Sequence, residues 1–275
     1  PKQRLTNRQW NSIPDSQKDL VVELALEYPE LSSRELAFKI TDEQGIYLSE
    51  SSVYRILKQR GLIAAPNHIL ISASNEFKNK TQFVHQMWQT DFTYFKIIGW
   101  GWYYLSTILD DYSRYIIHWE LCDSMKAEDV KRTVNTAISK ARLKTKQKPK
   151  LLSDNGPCYV SNELKTYLKD QLKMKQVHGK PMHPQTQGKI ERYHRTMKNV
   201  VKLNHFYHPE ELNQALNEFV ENYNNNRYHE SLNNLTPADV YYGRSDKILE
   251  QRAVIKQKTI TKRRQLYNQE KILNL

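Results

Sequence analysis

The chain has 275 residues, with 42 Lys or Arg against 30 Asp or Glu, so its net charge of +12 favours a polyanionic partner. No apolar run approaches the ~18 residues of a membrane span, and the first residues do not form a signal peptide. Cys122 and Cys158 form neither a zinc-like spacing nor a disulfide framework, so we expect a reducing, intracellular setting.

Residues 1–62 are predicted to form a helix-turn-helix domain, in a chain whose start without Met suggests a fragment or a processed form. Ser32 and Glu35 form a capping box for the second helix. Ser49 is expected to cap a third helix that ends before Gly61. The outer face of that helix is suited to reading a DNA major groove, unless it is simply the solvated side of a helical bundle. Its residues are Ser51, Ser52, Tyr54, Arg55 and Lys58.

Residues 63–82 show no sustained periodicity and are predicted to be a linker, followed by a core at 83–208. The core begins with a strand that contains Asp91, and two further strands complete an antiparallel meander. Asp110 and Asp111 lie at a hairpin corner of this meander. Aspartates there commonly bond their own backbone, so we interpret both as structural and not aimed at the other acids.

A helix, a strand, a second helix near 161–171 and a short strand are predicted to complete an α/β layer. Ser124 is expected to cap the first of these helices, and Asp129 is expected to be solvated. Asp154 ends the strand just before a turn at Asn155 and Gly156. Gly156 is predicted to need a backbone geometry that only glycine adopts cheaply.

The remaining segments are helical or basic. The basic run at 140–150 contains no acid and is either a solvated loop or a track for phosphates. Residues 209–246 are predicted to be a helical extension of the core. Residues 247–275 are predicted to be a basic tail without steady periodicity, which orders only on binding DNA or a sister subunit.

Three carboxylates, Asp91, Asp154 and Glu191, come from two strand ends and the start of a helix. Hard cations such as Mg²⁺ take carboxylate oxygens as ligands. Two such ions about 3.5–4 Å apart can activate a water or a 3′-hydroxyl and stabilise the leaving oxygen. We therefore predict a two-metal site, with Asp91 as the bridging ligand and Mn²⁺ as an alternative ion. Crowding of the acids without metal is expected to raise at least one pKa.

The sequence around these acids resembles bacterial insertion-sequence transposases whose catalytic core is similar to retroviral integrases. The spacing from Asp154 to Glu191 is one residue longer than is common in that family. The resemblance implies an α/β fold, with a mixed five-stranded ribonuclease H-like sheet and helices behind the helix-turn-helix domain. It also implies a DDE enzyme encoded by two overlapping reading frames. The matching segments are 88–91, 153–156, 183–192 and 223–238.

The function that the resemblance implies is DNA transposition. The enzyme would bind terminal inverted repeats, nick DNA with water, and join the freed 3′-hydroxyl to target DNA. We expect a homodimer on double-stranded DNA, in the bacterial cytoplasm near the nucleoid. Basic residues around Glu191 are expected to contact DNA, unless they form a solvated face. These are His183, Arg192, Arg195 and Lys198, with His183 expected to contact DNA or to pack its own loop and not to bind zinc.

Two rival functions share parts of this pattern. A metal-dependent nuclease of the same fold would use the three acids but show no preference for matched terminal repeats. A DNA-binding regulator without catalysis would bind the repeats and cleave nothing. The intact set of acids makes the nuclease the nearer rival.

Overall fold

The computed structural model describes residues 9–63, 81–143, 148–178, 188–201 and 205–273. These residues form two compact units. The N-terminal unit contains the described residues up to Ile63, together with 233–235 and 243–273. The core unit contains the described residues from 81 to 232, together with 236–242.

The N-terminal unit opens with three helices, as predicted: α1 (Asp15–Glu27), α2 (Ser33–Gln44) and α3 (Glu50–Gln59). The capping box at α2 is confirmed, since the Glu35 N–H donates to Ser32 Oγ and the Ser32 N–H donates to the Glu35 carboxylate. Ser49 caps α3 by accepting a hydrogen bond from the N–H of Ser52. The apolar inner faces of the three helices pack into one small core.

The core unit is built on a mixed five-stranded sheet, which confirms the predicted architecture. Strands β1 to β3 form the antiparallel meander, and β4 and β5 add to the β1 side in parallel, in the order β3-β2-β1-β4-β5. The strands are β1 (Met87–Ile97), β2 (Gly101–Asp110), β3 (Ile116–Cys122), β4 (Lys150–Ser153) and β5 (Gln176–His178). Because β4 pairs only with Met87–Gln89, β1 has no strand beside it on that edge from Thr90 onward, among the residues described.

Helices cover both faces of the sheet. On one face, Trp88 and Ile108 of the sheet pack against α4 (Ala127–Lys140) and the short helices α5 (Pro157–Val160) and α6 (Asn162–Thr166). On the other, Phe95 and Leu105 pack against α7 (Gly188–Val201) and α8 (Pro209–Asn225). The remaining helices are α9 (Pro237–Tyr241) and α10 (Ser245–Leu273). None of the helices in the described ranges is long and apolar enough to cross a membrane.

The start of α4 differs from the prediction. Ser124 does not cap the helix, because its hydroxyl donates to Asp129 Oδ2 at 2.6 Å. The same oxygen accepts the N–H of Lys126 at 3.1 Å, so Asp129 supplies the cap from inside the helix. The prediction that Asp129 is solvated is therefore wrong, and its side chain is buried. The predicted helix near 161–171 is α6 continued by a π-helical turn at Tyr167–Gln171.

The predicted basic tail is instead the 29-residue helix α10. Arg252 donates two hydrogen bonds of 2.7 Å to the carboxylate of Asp42 in α2. Arg263 donates to the carbonyl of Tyr47, and the Tyr47 N–H donates to Thr259 Oγ1. The prediction of a separate tail at 247–275 is therefore wrong, since α10 packs within the N-terminal unit.

Candidate active site

Asp91 lies on β1 just past the point where the pairing with β4 ends. Its Oδ1 accepts a hydrogen bond from the N–H of Phe92 at 2.8 Å. Its Oδ2 lies 3.4 Å from Nδ1 of His194, a buried side chain on α7. About a fifth of the Asp91 side chain (21%) is exposed, so the carboxylate is positioned on its inner side and open to solvent on the other.

Asp154 follows β4 directly, as predicted, and its Oδ1 accepts the N–H of Gly156 at 2.9 Å. The predicted reason for a glycine at 156 is wrong, because its φ of −59° and ψ of 151° are open to any residue. A Cβ at this position would lie 3.0 Å from Asp154 Oδ1. Gly156 is therefore explained by the close approach of the Asp154 carboxylate to its own turn.

Glu191 lies in the first turn of α7 and is exposed. The start of this helix is tied to the meander by side chains that the sequence analysis did not place in the site. Lys189 Nζ donates to Asp111 Oδ2 at 2.6 Å and to the Asp111 carbonyl at 2.8 Å. Gln89 Nε2 donates to Asp111 Oδ1 at 2.6 Å, and Gln89 Oε1 accepts the N–H of Ile190 at 3.1 Å.

We call Gln89, Asp111 and Lys189 the helix anchor. Asp110 and Asp111 are both buried and hydrogen-bonded, so their structural role is confirmed. The Asp111 carboxylate contacts Lys189, which precedes Glu191 by two residues, so its structural role extends to the start of α7. The separation of 78 positions in sequence between Asp111 and Lys189 explains why no local pattern revealed this contact.

The charge of Asp91 acts on both of the other carboxylates. Burial raises the pKa of the Asp154 carboxyl, the Gly156 N–H lowers it, and the negative charge of Asp91 raises it again. Burial also raises the pKa of the Glu191 carboxyl, as does Asp91, while Arg195 and His194 lower it. The negative charge of Asp91 thus favours the protonated forms of both other acids, as expected for neighbouring carboxylates.

An open cleft of about 720 Å³ lies between β1 and α7. It contains two acids, Asp91 and Glu191, and two of the predicted DNA-contacting cations, Arg195 and Lys198. Arg192 is not among its lining residues and instead acts electrostatically on Tyr223. The lining residues are Asp91, Phe92, Thr93, Tyr94, Glu191, His194, Arg195, Lys198 and Asn199.

Other predicted contacts lie elsewhere. On α3, Ser51, Arg55 and Lys58 are exposed, whereas Ser52 and Tyr54 are half-buried. His183 and residues 144–147 of the basic run lie outside the described residues.

The three carboxylates fit a divalent cation by their chemistry. They supply oxygen donors of the kind that Mg²⁺ prefers, and the repulsion between them is the kind that a bound cation relieves. Within the described part of the chain, no three His, Cys, Asp or Glu side chains yet stand close enough together to hold one metal ion. The site therefore has the donors for a hard cation without a preformed cage.

Comparison with known proteins identifies the type of core. Two family models, both described as integrase core domain, match residues 83–184 and 172–237. The chain is 29% identical over 167 residues to the Gag-Pro-Pol polyprotein of squirrel monkey retrovirus, a match that covers 60% of this chain. It spans only 8% of the length of that polyprotein. These matches support a DDE core of the integrase and transposase type.

Solved structures give the same fold. One match is the structure of a simian T-cell lymphotropic virus intasome in complex with a PP2A regulatory subunit. The match covers 80% of this chain and 74% of the matched chain in that structure. Its TM-score is 0.51 at 17% identity, a likeness that shows the fold. The HTLV-2 integrase catalytic core in complex with magnesium matches 58% of this chain at 20% identity, with a TM-score of 0.46. The sheet order and the match to the intasome structure give the core unit a ribonuclease H-like fold.

Proposed function

We propose that this protein is a DNA transposase of an insertion sequence, which nicks DNA at terminal inverted repeats and transfers the 3′-hydroxyl end to a target strand. The observation that carries the proposal is the position of Asp91 on β1, next to the parallel strand β4 that Asp154 follows and in one cleft with Glu191. The cleft beside it also contains Arg195 and Lys198, cations suited to holding the phosphates of a DNA strand.

The residues that would hold Mg²⁺ are Asp91, Asp154 and Glu191. When bound, a pair of divalent ions supplies an activated oxygen nucleophile and neutralises the charge on the leaving oxygen. Mn²⁺ has the same preference for oxygen ligands and is the alternative ion.

The side chains around these acids set up the reaction. His194 Nδ1 lies 3.4 Å from Asp91 Oδ2, and the charge of Arg195 partly offsets the rise in the pKa of Glu191 that burial and Asp91 cause. Lys198 lies seven residues after Glu191, two turns along the same helix face, where it would grip the DNA beyond the cut. The helix anchor fixes the start of α7 and so the direction from which Glu191 enters the site.

End recognition is assigned to α3 of the N-terminal unit. Its exposed Ser51, Arg55 and Lys58 have the chemistry to contact base edges and phosphates in a major groove. Joining two ends requires two active sites or one that is used twice, so we propose a homodimer assembled on DNA.

A strand-transfer assay tests this function against its rivals. Labelled duplexes that carry the element ends are incubated with unlabelled target DNA and Mg²⁺, and products are resolved on denaturing gels. Joined product supports the transposase. Cleavage of end and random duplexes alike, without joining, supports the nuclease, and retention without cleavage supports the regulator.

Asp154→Asn tests the assignment of the ligands. This change removes one negative oxygen but keeps the shape of the side chain. We expect cleavage and joining to fall by at least about 100-fold, because even groups outside the first layer around a metal typically contribute 10–100-fold. DNA retention should persist. Asp123→Asn, an exposed acid outside the cleft, is the matched control and should leave activity intact.

A further inference from the structure

The free end of the β1–β2 hairpin carries large aromatic side chains in solvent. Tyr94 of β1 is 51% exposed and Trp102 of β2 is 52% exposed. Their rings meet edge to face, with centroids 5.4 Å apart. Adjoining exposed aromatic rings are a feature of binding sites, because it costs free energy to leave apolar surface in water.

Lysine side chains accompany both rings. Lys96 Nζ lies 5.9 Å from the centroid of the Trp102 ring, and Lys198 Nζ lies 4.7 Å from that of Tyr94. We call these four residues the aromatic ledge. Tyr94 and Lys198 also line the cleft that contains Asp91 and Glu191, so the ledge continues the candidate active site.

The charge pattern favours nucleic acid over a protein partner. The centres of protein–protein interfaces are depleted of lysine, whereas each ring here has an ammonium group beside it. Aromatic rings combined with a positive track along the backbone are the features by which proteins bind single-stranded nucleic acid. A paired duplex keeps its base faces stacked on each other, so the rings can stack only on unpaired or terminal bases.

We propose that the aromatic ledge binds unpaired bases at the end of the DNA strand that is cut in the cleft. Tyr94 and Trp102 stack on the bases, while Lys96 and Lys198 pair with the flanking phosphates. This inference rests on the proposed function and adds a substrate feature to it: the enzyme prefers DNA whose end is already frayed.

The test compares two element-end duplexes in EDTA, so that no cutting occurs. One duplex is fully paired and the other has two mismatched terminal nucleotides, with 2-aminopurine as the last base. Fluorescence anisotropy gives the affinity, and quenching of 2-aminopurine reports stacking. We expect the full chain to prefer the frayed end about tenfold and to quench its fluorescence.

Substitutions separate the effect of aromatic stacking from the effect of side-chain size. Trp102→Leu and Tyr94→Leu should abolish both the preference and the quenching, whereas Trp102→Phe should retain them. Trp100→Leu is the matched control, because this exposed side chain in the same hairpin contacts His208 and lies outside the ledge. It should behave like the unchanged protein.

Equal affinity for both duplexes in the unchanged protein would overturn the inference. It would also be overturned if Trp102→Leu kept the preference, or if it turned a dimer into a monomer in sedimentation, which would assign the ledge to a contact between copies. Stacking is measured without catalysis, so failure of the strand-transfer assay with a preserved Trp102-dependent quench would reject the transposase function and leave the ledge intact.

Discussion

At Gly156, a single hydrogen atom in place of a methyl group leaves room for the Asp154 carboxylate. We expect Gly156→Ala to lower Mg²⁺-dependent cleavage by roughly 10–100-fold, because the added Cβ displaces a proposed metal ligand. Thermal stability should barely change, since the backbone angles suit alanine. Cleavage kinetics and thermal melts measure the two effects.

Gly243→Ala provides the opposite control. Gly243 has a φ of +68° with open space around its Cα, so alanine there strains the backbone without meeting another group. Its melting temperature should fall while its cleavage rate is retained. Full activity in Gly156→Ala would show that the Asp154 carboxylate does not need its present position.

The raised pKa values of Asp154 and Glu191 predict how stability depends on pH. In the metal-free protein the folded state binds protons more tightly at these carboxyls than the unfolded chain does. Stability from these two groups is therefore present below their ordinary pKa values of 3.8 and 4.5, and it is lost as the pH rises through the raised values.

Divalent ions should reverse this trend, because they bind only the ionised carboxylates. We expect Mg²⁺ to raise the melting temperature above the interval of titration and to have no effect below it. Melts at a series of pH values, with and without Mg²⁺, measure this difference. Without metal, the Asp154→Asn variant should be more stable than the unchanged protein. Its melting temperature should respond less to Mg²⁺. A response to Mg²⁺ that is independent of pH would contradict the assignment.

Among the elements, α7 depends on a buried ion pair at its start. The side chains of Lys189 and Asp111 are 14% and 4% exposed, so removal of one partner leaves an uncompensated buried charge. We expect Lys189→Met to cost about 3–5 kcal/mol of stability. The substitution should also reduce cleavage, since Glu191 follows Lys189 by only two residues on the same helix.

The double variant Lys189→Met with Asp111→Leu separates stability from activity. Replacing both members of a buried pair by apolar groups is often neutral or stabilising, so stability should largely recover. Activity should remain low, because Gln89 loses the carboxylate that orients it toward Ile190. Recovery of activity together with stability would show that the helix anchor serves folding alone.

The docking of α10 gives a second prediction at this scale. The Arg252 side chain, 9% exposed, makes a two-pronged contact with Asp42. We expect Arg252→Met to weaken the packing of α10, seen as faster hydrogen exchange along the helix. A double-mutant cycle with Asp42→Asn should give a coupling of about 1–3 kcal/mol. A coupling energy near zero would show that other contacts hold α10 in place.

The elements show which sequence patterns carry structural information. The first three helices and the meander were predicted because their buried faces are apolar and repeat at the helical or strand period. The α10 helix was not predicted, because the residues on its buried face are polar: Arg252, Thr259 and Arg263. Its partner Asp42 lies 210 residues away from Arg252, beyond any local pattern.

For the whole molecule, the mixed sheet and its fold class were predicted mainly from the order of elements and the motifs around the acids. Alternation alone does not predict that β4 joins β1 in parallel, which is the pairing that brings Asp154 beside Asp91. The division into two units was only partly predicted. The last helix lies with the first three, although almost the whole core separates them in the sequence.

Because α10 holds α2 through side chains, the first 63 residues are joined to the rest of the protein in two ways: by the peptide chain and by packing against α10. A protease that cut between Ile63 and Thr81 would therefore not release the amino-terminal piece. Two separately expressed polypeptides, ending and starting at those residues, would be expected to reassociate on mixing. High salt or a substitution of Asp42 would then be expected to weaken that reassociation, because both act on the ion pair between Arg252 and Asp42.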